Sequence, residues 1–150
     1  MIFLGIAFAC FFTDWAVKHY FDAGKGKEKI AEKPVYAGGK VGLEMHHNSG
    51  FAMNRLSDHR KVVLGSRLAA MLALSFFWLY ALLHHESTTR KIGLSLVLAG
   101  GWNNLLEGWK KGYVTDYIRF PKAPGFLGRL VFNGSDFCIA AGGFLTVIGR

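Results

Sequence analysis

Cysteine and acidic residues are scarce in this chain, repeats are absent, and each scarcity closes off a class of protein. Two cysteines in 150 residues, Cys10 and Cys138, cannot build the disulfide framework of a small secreted domain. Neither belongs to a pair or a Cys/His cluster with metal-ligand spacing, so both read as small apolar residues in hydrophobic runs. The one biased stretch is the Lys-rich Lys25–Lys33. Ten acidic residues face eighteen basic ones, giving a formal charge of +8. Such a balance suits nucleic acid or a membrane surface, but no DNA- or RNA-binding motif accompanies it. With 51% apolar and 19% charged residues, a disordered tail or a collagen-like chain is excluded. The length argues for one domain, 1–150.

What the chain has in abundance is apolar length. Runs over about 2–20, 62–83, 92–109 and 130–148 each have roughly the 17–25 residues that cross a ~30 Å hydrocarbon core as a helix. The first is too long for a cleavable signal and lacks a basic n-region and a small-residue cleavage site. Polar residues interrupt the third and fourth, whereas the second is almost unbroken, which disfavours a soluble helical bundle. The expected fold is an all-α membrane protein of four transmembrane helices. Four crossings put both termini on one side and residues 19–61 and 110–129 on the other, the loop side. Alternation over Pro34–Leu43 predicts a small β-hairpin there, turning at Gly38-Gly39 and forming a cradle-like loop region.

Fourteen lysines and arginines belong to the loop side and three to the other. The positive-inside tendency would place the loop side in the cytoplasm. Lipid headgroups are the natural anionic neighbours of so many membrane-adjacent charges.

A charge at the bilayer centre costs roughly 2.5–3.5 kcal/mol even on lenient insertion scales, so ionisable residues in the spans need a reason. Asp14 and Lys18 are spaced i, i+4 and can pair on one face of the first helix. Asn104 and Glu107 are spaced i, i+3 near the end of the third, with Asp116 just beyond it. Asn133 and Asp136 are again i, i+3 in the fourth. Topology brings all seven to one membrane face, along with the loop segment His46–Gly50. For Lys18 and Arg67 the plain reading is a long side chain snorkelling to the interface. Asp136 is too short for that, and an apolar stretch follows it. Two carboxylates partly out of water cannot both ionise cheaply, so one keeps its proton. The charged partner can then activate water while the protonated one polarises a carbonyl, without metal or cofactor. The two asparagines would orient the carboxyls or hold substrate backbone.

At these residues the sequence resembles the lipoprotein signal peptidases, or signal peptidase II. The family's V-x-D-[FY] motif is matched by Val114-Thr115-Asp116-Tyr117, and its F-N-x-[AS]-D motif by Phe132-Asn133-Gly134-Ser135-Asp136. The D-x-x-x-K of the first helix is Asp14 to Lys18, and the loop motif N-x-G-x-A is Asn48-Ser49-Gly50-Phe51-Ala52. The family's G-N-x-x-D-R is altered: Asn104 is kept, but Glu107 and Gly108 replace the Asp-Arg pair. Val17 and Met53 also depart from the pattern.

The resemblance implies an intramembrane aspartic endopeptidase that removes signal peptides from bacterial prolipoproteins, cutting before a diacylglyceryl-modified cysteine. It implies Asp116 and Asp136 as the catalytic pair. Asp14, Lys18, Asn48, Gly50, Asn104, Glu107 and Asn133 become the supporting and substrate-binding residues. It further implies a monomer in the bacterial inner membrane, multi-pass, with its site at the extracytoplasmic face. That side contradicts the charge count, and we side with the resemblance because many of the lysines lie in one long loop. Expected partners are the lipidated substrate, membrane lipids and the cyclic inhibitor globomycin, with no nucleic acid. The rival readings are a metal site drawing on Glu44, His46, His47 and His59, a peptidase-like binder that holds lipidated peptides without cleaving them, and a transporter. Adjacent histidines lack the i, i+4 spacing of a helical zinc site, and four helices offer a transporter little room.

Overall fold

A computed structural model describes residues 2–49 and 59–149. In chain order the elements are α1 (Ile2–Asp22), α2 (Gly24–Ala31), β1 (Val35–Tyr36), β2 (Val41–Asn48), α3 (Arg60–Leu83), α4 (Thr88–Lys111), β3 (Val114–Arg119), β4 (Val131–Phe132) and α5 (Gly134–Ile148). The protein is mostly helical, with one small antiparallel sheet in the order β1-β2-β3-β4.

The helices are inside out. In α1 the buried residues are Asp14, Lys18 and Phe21, while Ile2, Phe8, Phe12 and Trp15 are exposed. A helix in water buries its apolar stripe; one in lipid turns its polar groups inward. α3 likewise exposes Leu72, Phe76, Phe77, Leu79 and Leu83. These two helices have the length and apolarity of a membrane crossing. α4 is more polar and more central, burying Leu94, Ser95, Leu98, Asn103 and Leu105. α5 is a shorter apolar helix of 15 residues.

Three of the expected runs coincide with α1, α3 and α4 to within a few residues. The fourth begins later than expected, because Val131 and Phe132 pair with β3 and Asn133 caps the helix from outside. The Asn133 side chain accepts the Asp136 N–H, and the Asp136 carboxylate accepts the Asn133 N–H. Such a reciprocal cap sets a start point firmly. At its other end, Ser87 caps α4 and also donates to the Gly149 carbonyl, tying α4 to α5.

The expected hairpin is present, with Val35 opposite Gly42 and Tyr36 opposite Val41. Its turn uses Gly38 (φ 65°) and Gly39 (φ 83°), a left-handed backbone that glycine adopts without steric cost. The loop side is more structured than a single hairpin, however. The Lys-rich stretch folds as α2, pinned by Ile30 against Phe21 and Tyr117 in a small core that Val17, Leu43, Met45 and Ile118 extend. Asp116, expected just past a helix end, lies on β3, where it stands opposite His46 of β2.

α4 and α5 approach through glycines. A Cβ at Gly100 would lie 2.4 Å from the Ser135 carbonyl oxygen, and one at Gly142 only 2.5 Å from the Gly93 carbonyl oxygen. Both distances are shorter than contact, and the obstacle is backbone. Gly143, one residue on, has open space beside it. Gly142→Ala should therefore destabilise the fold by about 1–3 kcal/mol, the range for overpacking a tight contact. Gly143→Ala should be neutral or slightly stabilising, since alanine is the better helix former. Thermal unfolding of the two variants in one detergent checks the contrast; equal melting temperatures would refute it.

Candidate active site

The site is organised around two buried polar hubs. The first is Asn133, with no exposed surface, between the sheet and α5. Its side-chain oxygen caps α5, as described, and its Nδ2 donates to Asp116 Oδ1 at 2.7 Å. Its backbone N–H donates to Asp136 Oδ2 at 3.0 Å. One residue thus holds both carboxyl groups, one arriving on a strand and the other on the first turn of a helix. This is a correction to the sequence reading, in which Asn133 was part of the helix.

The second hub is Lys18, 2% exposed. It does not snorkel. Its ammonium pairs with Asp14 Oδ2 at 3.0 Å and Glu107 Oε2 at 2.9 Å, and it donates to the side-chain oxygens of Asn103 at 3.1 Å and Asn104 at 2.8 Å. An ammonium has only donors, so it draws the Asn104 oxygen toward itself and leaves the Asn104 NH2 facing outward. That NH2 donates to Asp136 Oδ1 at 3.2 Å. Asp14 in turn accepts from Ser135 Oγ, Gly134 N–H and the Tyr117 hydroxyl at 2.5, 2.9 and 2.7 Å. α1 is thereby locked to α5 and β3. Glu107 reaches a second cation, Lys111, at 2.9 Å, and Lys111 also pairs with Asp22. The network Asp14–Lys18–Glu107–Lys111–Asp22 joins α1 to α4.

Between the hubs and α3 lies a cavity of about 420 Å³. Its polar lining comprises Asn48, Arg67, Asn104, Asp116, Asn133 and Asp136, and its apolar lining includes Met71, Leu105, Val114 and Ile139. The structure therefore brings Asn48, Asn104, Asp116, Asn133 and Asp136 to one space and places Asp14, Lys18 and Glu107 behind it. Gly50 lies outside the described residues. Sequence reasoning missed Asn103, Tyr117, Gly134 and Ser135 as partners of Lys18 or Asp14. Three of them stand within the two aspartate motifs, which is the signal that was available. Arg67 was taken for a snorkelling side chain and instead lines the cavity.

Asp116 sits where ionisation is costly. Burial, first, and the negative charge of Asp136, second, push its pKa up to about 7. Hydrogen bonds from Asn133 and Asn48 and the charge of Lys18 oppose the rise without cancelling it. Near neutrality the pair can therefore hold one proton and one charge, the state that acid and base work requires.

Among the described residues, His59 included, no three metal-ligating side chains come together. His46 and His47 are consecutive on β2 and so face opposite sides of the sheet. Glu44 pairs with Lys33 and Arg119, and Lys33 holds its carboxyl below the ordinary value. His47 stacks on Tyr113.

The Lys18 hub generates a stability prediction. Lys18→Met would leave the Asp14 and Glu107 carboxylates buried without their shared cation, a change that typically costs about 3–5 kcal/mol. Lys111→Met should cost much less, because that group is partly exposed and pairs at the surface. Thermal unfolding in detergent should show the two variants well apart; a Lys18→Met protein as stable as the parent would sink the assignment.

Known proteins resemble this chain in sequence and in fold. A protein called lipoprotein signal peptidase from Dehalococcoides mccartyi is 33% identical over 98 residues, covering 64% of this chain and 58% of that protein. One of the same name from Allorhizobium ampelinum is 32% identical over 109 residues, covering 71% and 64%. The chain thus spans less than two thirds of the length of these two relatives. A third, from Caldicellulosiruptor bescii, is 27% identical over 143 residues, 95% of this chain and 85% of its own. Two solved structures, each described as a bacterial membrane enzyme, share the fold with TM-scores of 0.78 and 0.75. They are 19% and 17% identical, and each similarity covers 98% of this chain and 90% or 85% of the other. The model of the family described as signal peptidase (SPase) II matches residues 6–149, and this chain belongs to that family.

Proposed function

We propose that the chain is an intramembrane aspartic endopeptidase that removes signal peptides from bacterial prolipoproteins, cutting before a diacylglyceryl-modified cysteine. The observation that carries the reading is the pair of carboxyl groups held by one buried residue, Asn133, at the edge of a single cavity. Four helices cross the inner membrane, and the sheet and α2 form a cap at the extracytoplasmic face. The substrate's acyl chains stay in the bilayer while its extended peptide enters the cavity beside Asp116 and Asp136.

In this mechanism Asp136 is the base and Asp116 the acid. Asp136 receives donors from Asn104 and from the Asn133 backbone, which suit a carboxylate. Asp116, with its raised pKa, keeps the shared proton. Asp136 takes a proton from a water molecule whose oxygen adds to the scissile carbonyl carbon. Asp116 gives its proton to the carbonyl oxygen, forming a neutral gem-diol. Collapse breaks the C–N bond: Asp136 returns its proton to the leaving nitrogen, and Asp116 recovers one from a gem-diol hydroxyl. Both carboxyls end as they began. The Glu107-for-Asp change fits this scheme, because the longer side chain still meets Lys18 while also reaching Lys111.

Purified protein in lipid or detergent, given a diacylglyceryl-modified prolipoprotein, should release the signal peptide. Asp116→Asn and Asp136→Asn should each lower the rate at least about 100-fold, the scale of a lost acid or base, with folding retained. Folded wild type that leaves the substrate intact would favour a binder of lipidated peptides instead. The pH profile is a further check on roles. Asp116 must be protonated to act, so the cleavage rate should fall as pH rises through about 7. A rate that climbs steadily through that range would exclude Asp116 as the acid.

A further inference from the structure

One cation lines the cavity itself. Lys18 and Lys111 face Asp14, Glu107 and Asp22, behind the carboxylate pair. Arg67, from the second turn of α3, lines the cavity itself with Asp116 and Asp136, and its charge acts on both. An arginine two turns inside an apolar helix is costly against lipid; here it is turned to the polar space.

Facing it, α4 presents Gly108. A Cβ there would come 3.4 Å from Arg67 Nη1, 3.6 Å from Val114 Cγ2 and 3.8 Å from Leu64 Cδ2. A methyl group would just fit, and anything longer would grow into the place of the guanidinium. The bare backbone at 108 and the long side chain at 67 are complementary in volume.

We propose that Arg67 is the substrate-positioning cation of this cavity, donating to a backbone carbonyl of the bound peptide beside the scissile bond, and that Gly108 leaves the room it needs. The inference rests on the peptidase reading. An extended peptide inside a site walled by lipid-facing helices brings carbonyls that lose their water and need donors. The Asn104 and Asn133 amides already spend donors on the carboxylates. A guanidinium offers five N–H donors in a rigid fork and can hold a carboxylate and a carbonyl together. Gly108 also stands where the resembling motif has arginine, so this chain draws its guanidinium from α3 instead of α4.

The test is cleavage kinetics of the full chain on a diacylglyceryl-modified prolipoprotein, comparing wild type, Asp116→Asn, Arg67→Gln, Arg67→Lys, Gly108→Arg and the double variant Arg67→Gln/Gly108→Arg. Arg67→Gln should lower kcat/KM roughly 10- to 100-fold, the scale of one charge-assisted hydrogen bond, chiefly by raising KM. Arg67→Lys, which keeps charge and stem, should fall between it and wild type even where Arg67→Gln folds poorly. Gly108→Arg alone should be impaired, because two guanidiniums meet in one place, and the double variant should regain at least tenfold over it. Wild-type KM and kcat in Arg67→Gln, or losses that simply accumulate in the double variant, would overturn the proposal while Asp116→Asn remains silent and the peptidase reading stands. Wild type unable to cleave would remove both.

Discussion

Everything at this site hangs on an ammonium ion in a place where water does not reach. A buried charge without partners is among the most expensive features a fold can carry, so the chain must supply Lys18 with acceptors from every direction. It does so from α1 itself through Asp14 and from α4 through Glu107, Asn103 and Asn104. These acceptors then cannot point elsewhere. The Asn104 amide is turned so that its NH2 meets Asp136, and Asp14 is left with lone pairs that collect Tyr117, Gly134 and Ser135. The position of α5 against α1 and β3 follows from the demand for neutrality around one side chain. Oriented acceptors on rigid elements hold the proposed catalytic pair in place before substrate arrives.

The sequence showed some of this well and hid the rest for identifiable reasons. Apolar length is a local property, so three helices were readable with nearly correct ends. The Asp14–Lys18 pair was also readable, since i, i+4 residues meet on any helix. Asn133 and Asp136 were harder, because i, i+3 is both the spacing of neighbours on a helix face and that of an N-cap and its N3 partner. Only the strand pairing of Val131 and Phe132 decides between them, and that pairing is made with a distant segment. Asp116 was placed past a helix end for a similar reason. Its strand exists because β2, some seventy residues earlier in the chain, lies alongside. Lys18 and Arg67 were misjudged in the same direction: a long cationic side chain in an apolar run looks like a snorkel until the polar cavity beside it is known.

The loop side also changes the meaning of the charge count. Fourteen basic residues in loose loops would be a strong topological signal, but here many are built into structure. Lys18 is buried and paired; Lys33 and Arg119 share Glu44; Lys111 is held by Glu107 and Asp22. α2 and the sheet turn the long segment after α1 into a folded cap, with Ile30 and Tyr117 in its core. A positive-inside count applies to short connecting loops close to the span ends and weakens for long or folded segments. Basic residues that are paired inside a folded cap report less on orientation than the same residues in loose loops, which is how the proposed extracytoplasmic face coexists with so basic a sequence.

The two carboxyl groups reach the cavity on different kinds of element, and this gives them different characters. Asp136 is the third residue of α5, where unpaired backbone N–H groups gather and an anion is welcome. Asp116 is on a strand flanked on both sides by other strands and is buried to 5% exposure, where hydrogen bonds from Asn133 and Asn48 only partly offset the cost of its charge. Geometrically equal carboxyls would have to decide by chance which one keeps a shared proton. A helix start for one and a sheet interior for the other remove that symmetry before any substrate binds. Asn133 is the residue that makes the asymmetry compatible with closeness: its backbone serves the helical carboxyl and its side chain the strand one. Aspartate at that position would add a third carboxyl group and lose the donor to Asp116, while leucine would lose the cap and the donor together. Of the common side chains, an amide meets both demands with one acceptor and one donor at the same point.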